Sequence, residues 1–225
     1  AGSSSNSSSS RLDGGCGLLA ESPAKRNMLG LLSPQFVPAV PLADGQRIFC
    51  FSFGEGPELD PGGSNRGLAA FLVGRLGASS GGLEIFAQRE LAVAVKELGV
   101  DVTFTAEPQP GGYITTQQVL EQFRNQSPPA PADERPAVII AHPHHAWRCL
   151  VLTTLAGYVG IVPDPRTSAG LQWQRFGNDD DGYDPESLQA HTRSFETFHP
   201  YEIRHQHGIC MQIHNSHRFC ASPPS

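Results

Sequence analysis

The stretch "AVIIAHPHHAWRCL" (137–150) gathers side chains that can do chemistry. An apolar run ends in His142, His144 and His145, and Arg148 follows His145 by three residues. On a helix, positions three apart share a face. With His142 ending a strand and His145 opening a helix, His145 and Arg148 can clamp a phosphate or carboxylate. The helix dipole and the planar guanidinium both favour an anion there. His145 can also act as an acid or base near neutral pH. A competing use is metal, with His142 and His144 as two ligands and His199, His205, His207 or a carboxylate completing the set. No HExxH or CxxC motif supports that use, so the sites are assigned to a ligand and none to a metal.

Four other stretches can reach the same place. In "FGEGPELDPGGSNRG" (53–67), Gly54 and Gly56 follow an apolar run, and Ser64 and Asn65 stand at a helix start whose amides suit an anion. In "AQRE" (87–90), Gln88 and Glu90 mark a strand giving way to a helix. A first-turn carboxylate also favours the helix dipole. In "TAEPQPGGYITTQQ" (105–118), Glu107 ends a strand and Thr115 or Thr116 caps the next helix. "YDPESLQAHTRSFETFHPYEIRHQHG" (183–208) is rich in polar groups, including Tyr183, Asp184, Gln189, Arg193 and Glu202, and is expected to close over the site. The catalytic candidates are His145 with Glu90 or Glu107 as its carboxylate partner. The ligand-binding candidates are Gly54, Gly56, Asn65, Gln88, Thr116, His142, Arg148 and Arg193.

The elements that must position these residues alternate. "RIFCFSF", "LEIFAQ", "VDVTFTAE", "AVIIAH" and "YVGIVP" are short apolar runs that read as strands. Between them lie "NRGLAAFLVGRLG", "RELAVAVKELG", "TTQQVLEQFRNQ" and "HAWRCLVLTTLAG", with helical spacing. Strands that are apolar on both faces, each followed by a helix, predict an open, doubly wound, mostly parallel sheet in a Rossmann-like three-layer α/β fold. In such sheets the ligand crevice lies beyond the carboxyl ends of the strands. The expected organisation is an irregular, low-complexity arm over 1–45, one α/β domain over 46–208, helical from about Ser187, and a tail over 209–225. The Ser-rich first ten residues cannot bury enough surface to order.

Composition limits the partners. The 225 residues carry 16 basic and 22 acidic side chains, a formal charge of -6, with no basic stripe. General nucleic-acid binding needs such a stripe, so a small anionic molecule is the expected partner. No apolar run approaches the ~20 residues of a membrane span. Five cysteines without a CxxC pair suit a soluble protein of a reducing compartment. The absence of GxSxG counts against an ordinary esterase.

In order, "GEG", "AQRE", "AEPQPGGYITTQQVL", "VIIAHPHHAWRCL" and "YDPESLQAHTRSFETFHPYE" resemble the motifs of the YdcF/SanA-like proteins, a domain family of unknown function. His145 and Arg148 look like that family's His and Arg opening the helix after a central strand, Glu90 like its helix-opening Glu, and Thr116 like its loop Thr. The resemblance covers roughly 46–208. It implies a Rossmann-like fold and S-adenosylmethionine or another nucleotide-like ligand, and members have been linked to bacterial envelope maintenance. It implies no particular reaction. A hydrolase or transferase with His145 as acid or base, and a His-rich metal-binding protein, are the alternatives to a binding module.

Overall fold

The computed structural model describes residues 47–76, 82–110, 112–129, 135–162 and 182–221. The arm over 1–45, the end of the chain and most of the acidic "NDDDG" loop lie outside the described residues. Five strands, β1 (Arg47–Cys50), β2 (Glu84–Gln88), β3 (Phe104–Ala106), β4 (Pro136–Ile140) and β5 (Val159–Ile161), form one sheet in the order β3-β2-β1-β4-β5. Every pairing is parallel. The helices are α1 (Gly62–Leu76), α2 (Arg89–Glu97), α3 (Thr116–Gln126), α4 (Pro143–Leu155) and α5 (Phe195–Ala221). The expected parallel α/β architecture is therefore the one observed.

The apolar runs are continuous because each strand feeds two cores. Side chains alternate across a strand. Ile48, Cys50, Ile85, Ala87, Val138 and Ile140 pack with α1 and α2 on one face. Phe49, Phe51, Phe86, Ala137 and Ile139 pack with α3 and α4 on the other, where Phe49, Phe86 and Phe123 form an aromatic cluster. Local signals set the helix ends. Gly99, at φ +79°, follows α2 in the left-handed conformation that suits a helix end. Thr115, rather than Thr116, caps α3 in a reciprocal capping box with Gln118.

The C-terminal part differs from its expected layout. The helix begins at Phe195, not near Ser187; residues 187–193 form a strap containing a short 3-10 turn, Ala190–Thr192. It also continues past 208 to Ala221, and Ile209 is buried, so the boundary drawn before 209 cuts through packed structure. Phe198, near the start of α5, joins the core shared with α1 and α2. Among the described residues no helix is long and apolar enough to cross a membrane.

Strand order fixes where a ligand crevice belongs. The chain proceeds outward from β1 to β2 and β3, then returns to add β4 and β5 on β1's other side. The topological switch point lies between β1 and β4, and open parallel sheets place their ligands beyond the carboxyl ends at that point.

Candidate functional site

His142 leaves β4 as the N-cap of α4, and its Nδ1 accepts the His144 backbone N–H at 3.3 Å. Pro143 is the first helical residue, where a missing N–H costs nothing. The helix thus begins two residues earlier than expected, and His144 and His145 both lie in its first turn. His142 is fully buried and stacks on Phe53 from the end of β1, ring centroids 3.9 Å apart. Burial and the two neighbouring histidines hold it neutral, well below the usual imidazole range. His144 points elsewhere, its Nδ1 2.6 Å from the Tyr183 hydroxyl.

His145 and Arg148 share a face, as their spacing requires, and touch. Arg148 donates from Nε at 3.2 Å and from Nη2 at 3.0 Å to His145 Nδ1. A guanidinium only donates, so Nδ1 is an acceptor and the neutral ring carries its proton on Nε2. That nitrogen lies 3.4 Å from Thr116 Oγ1 at the start of α3. Burial, then the Arg148 charge, push the His145 pKa down to about 4. At neutral pH His145 is therefore a hydrogen-bond donor, and the expectation of an acid or base titrating near neutrality is corrected.

The carboxylate partner of this pair is Glu202 of α5, not Glu90 or Glu107. Its Oε2 lies 3.1 Å from Arg148 Nη2 and 3.6 Å from His145 Nδ1. Arg148 also lies over the Tyr201 ring, 5.6 Å from its centroid. Burial works to raise Glu202, but the Arg148 guanidinium and the Gln206 amide outweigh it and its carboxyl lies below the ordinary range. Glu202 is 3% exposed, His145 4% and Arg148 9%. Burying ions costs several kcal/mol apiece before pairing offsets it. The expected anion seat on Arg148 is thus taken by a carboxylate of the chain itself.

A second expected anion seat is also filled from within. At the start of α1 the Gly62 N–H donates to Asp60 Oδ1 at 2.7 Å, and the Gly63 N–H to Asp184 Oδ2 at 3.0 Å. Asn65 is wholly buried and spends its amide on the loop. It accepts the Phe53 N–H at 2.9 Å and donates to the Gly54 and Pro61 carbonyls at 3.0 and 2.6 Å. Gly54, at φ +82°, lies under the strap; a Cβ there would sit 2.7 Å from both Ser187 Oγ and Thr192 Oγ1. Gly56 closes a turn with its N–H on the Asp60 carbonyl at 2.8 Å. Gly54, Gly56 and Asn65 therefore shape the loop.

The remaining candidates divide. Glu90 is 3% exposed just beyond β2, its Oε1 held by Arg89 Nε and Nη2 at 3.1 and 2.8 Å, and Arg89 also pairs with Glu55. Gln88 Oε1 accepts the Ser52 N–H at 3.2 Å, tying the ends of β1 and β2 together. Glu107 is exposed, and among the described residues only its backbone is engaged, by the Gln122 amide. It ends the edge strand β3, three strand spacings from β4, roughly 14 Å, which excludes a direct bond to His145. Arg193 is exposed and donates from Nε to the Ser187 carbonyl at 2.7 Å, bracing the strap. Among the described residues no group of three or more His, Cys, Asp or Glu side chains is placed to hold a metal.

Glu202 is the partner of His145 and Arg148 that the site assignment missed. Its signal was present: Phe198, Glu202 and Ile209 fall on one buried stripe of α5, so an acid occupies an apolar position. A groove of about 220 Å³ lies away from this cluster, between α3 and α4, lined in part by Leu120, Arg124, Leu152 and Leu155. No family model matches the chain, and no curated protein or solved structure matches it significantly.

Proposed function

We propose that the chain is a small-ligand-binding α/β domain of the YdcF/SanA kind, taking a nucleotide-like ligand over the carboxyl ends of β1 and β4. The observation that carries this reading is the buried His145–Arg148–Glu202 cluster, with Thr116 against it, at the topological switch point. Nothing in the two apolar cores requires charged groups there, and such groups gather where a ligand is to be met. Thr116 Oγ1 and the His145 Nε2–H form a polar floor, and Arg148 offers charge to a ligand anion that displaces Glu202. S-adenosylmethionine, which the family resemblance implies, is one candidate. His145 is neutral and its one acceptor nitrogen, Nδ1, is already taken by Arg148, which supports binding or polarisation of a carbonyl over acid–base catalysis at neutral pH.

Calorimetric titration of the full chain with S-adenosylmethionine and with ADP tests the reading. At least one is expected to bind saturably, and Arg148→Lys is expected to weaken it about tenfold or more, because the planar fork is lost while the charge stays. Equal affinity in wild type and Arg148→Lys would contradict the reading, as would no binding by either compound.

A further inference from the structure

We propose that the groove between α3 and α4 is the docking seat of this chain's own N-terminal arm, and that its apolar, proline-punctuated segment 28–42 is the occupant. That segment lies outside the described residues. The groove is separate from the His145–Arg148–Glu202 cluster, so the proposal does not depend on the ligand reading.

The first support is the groove itself. Leu120 and Arg124, one turn apart on α3, form one wall, and Leu152, Leu155 and Ala156 at the end of α4 form the other. Leu155 is 45% exposed, a large apolar side chain left uncovered at the rim. The space, about 220 Å³, is smaller than the roughly 300–1,000 Å³ of a drug-sized ligand pocket. It suits a few side chains of a passing chain better than a free small molecule.

The second support is where the arm joins the fold. In a parallel sheet α3 and α4 run back from the carboxyl ends of the strands, so Arg124, Leu155 and Ala156 lie at the level where the strands begin. β1 begins there with Arg47, whose side chain lies on the α3–α4 face, its guanidinium 5.7 Å from the centroid of the Tyr158 ring. Tyr158 follows Ala156 by two residues, and its hydroxyl donates to the Ser127 carbonyl, just past α3, at 2.6 Å. The arm thus meets the fold beside the lower end of the groove. Leu42 precedes Arg47 by five residues, about 16 Å of extended chain at ~3.3 Å per residue. The thirteen residues of α4 span about 20 Å, so 28–42 can cover the groove from end to end. The other long stretch outside the described residues, 163–181, starts after the carboxyl end of β5 and returns at Gly182, whose carbonyl accepts the Ser64 hydroxyl at the start of α1. Both its ends lie at the opposite edge of the sheet.

The third support is the chemistry of the segment. From 27 to 43 the chain carries no charged side chain, and Leu31, Leu32, Phe36, Val37, Val40 and Leu42 gain by leaving water. Pro34 and Pro38 fall on one side of an extended chain and Pro41 on the other. A ladder on either edge strand, β3 or β5, would therefore lose a backbone donor whichever side paired. A groove, which takes side chains, has no such requirement. Asp44, three residues before Arg47, brings a negative charge to the end of the groove that Arg124 marks.

The experiment places the photo-crosslinker p-benzoylphenylalanine in the full chain, at Leu155 or, as control, at Leu98 beyond α2 on the other face of the sheet. Both positions are about half exposed, so the label is tolerated, and circular dichroism confirms each fold. After illumination, a denaturing gel separates single chains from crosslinked pairs, and mass spectrometry maps the joined peptides. From position 155 the crosslink is expected within one chain and into 28–42, with a yield about tenfold or more above that from position 98, because a tethered segment docked at its seat has a high effective concentration. Phe36→Asp combined with Val37→Asp should cut that yield about fivefold or more, since an unpaired charge resists burial. If that variant unfolds, Phe36→Ser repeats the comparison with the same expectation. Crosslinks chiefly into a second copy or into 163–181, or equal yields from the two positions, would overturn the proposal. So would a yield that the arm substitutions leave unchanged.

Discussion

Replacing Glu202 with Ala strips the buried Arg148 of its only carboxylate partner among the described residues. Breaking a buried ion pair from one side costs about 3–5 kcal/mol, because the remaining charge stays out of water. The surroundings place this case near the lower end. Arg148 keeps two hydrogen bonds to His145 and its position over Tyr201. The expected loss is about 3 kcal/mol, which for a chain of this size lowers Tm by roughly 6–12 °C. Urea denaturation followed by circular dichroism reads the free energy, and a thermal scan the shift. The double variant Arg148→Met with Glu202→Leu should be clearly more stable than the sum of its two single changes, since it leaves no orphan charge. A Glu202→Ala protein within about 1 kcal/mol of wild type, or strict additivity in the cycle, would refute the claim that these groups form one buried unit.

Acid should destabilise the fold before its carboxylates titrate. Folding lowers the pKa of His142, His144, His145 and His191, with burial the first cause in each. Such groups stabilise fully above the unfolded imidazole value of 6.5, and that stability is lost as pH falls toward the folded value. For His145, falling from 6.5 to about 4, the loss at pH 5 is about 2 kcal/mol; urea midpoints equal at pH 7.5 and pH 5 would contradict this. Thr115→Ala should cost about 1 kcal/mol through the lost capping box, whereas Thr116→Val should leave the unfolding midpoint nearly unchanged and weaken ligand binding. Calorimetry and urea melts on the pair separate the two roles, and a reversal of the effects would contradict them. Gly54→Ala should destabilise by about 2 kcal/mol or more, from a strained positive φ and from its clash with the strap; a melt unchanged from wild type would show that the strap yields.

Sequence patterns revealed the strands because parallel strands bury both faces, which leaves uninterrupted apolar runs such as "VII" in β4. They also put His145 and Arg148 on one helix face, where they touch, because helix spacing is a local property. The partner carboxylate was not assigned because it is not local. Glu202 reaches Arg148 only through the packing of α5, and that is set by Phe198 entering a core built from distant elements. The loop after β1 was misread for a related reason. Its glycines and Asn65 look like ligand-binding amides until Asp60 and Asp184 are seen to occupy the helix start. Asp60, two residues before Gly62, was available as a local cap signal, whereas Asp184 was not. Glu107 showed the opposite error: a strand end points to the crevice only when the strand is central, and β3 is an edge.

The most direct test of the central claim is nitrogen-15 NMR of the His145 ring and the Arg148 guanidinium during titration with S-adenosylmethionine, and then with ADP. At pH 7 His145 should be neutral with its proton on Nε2, and both side chains should shift saturably with at least one of the compounds. A charged imidazolium at pH 7 would contradict the account, and so would ligand shifts confined to the groove between α3 and α4.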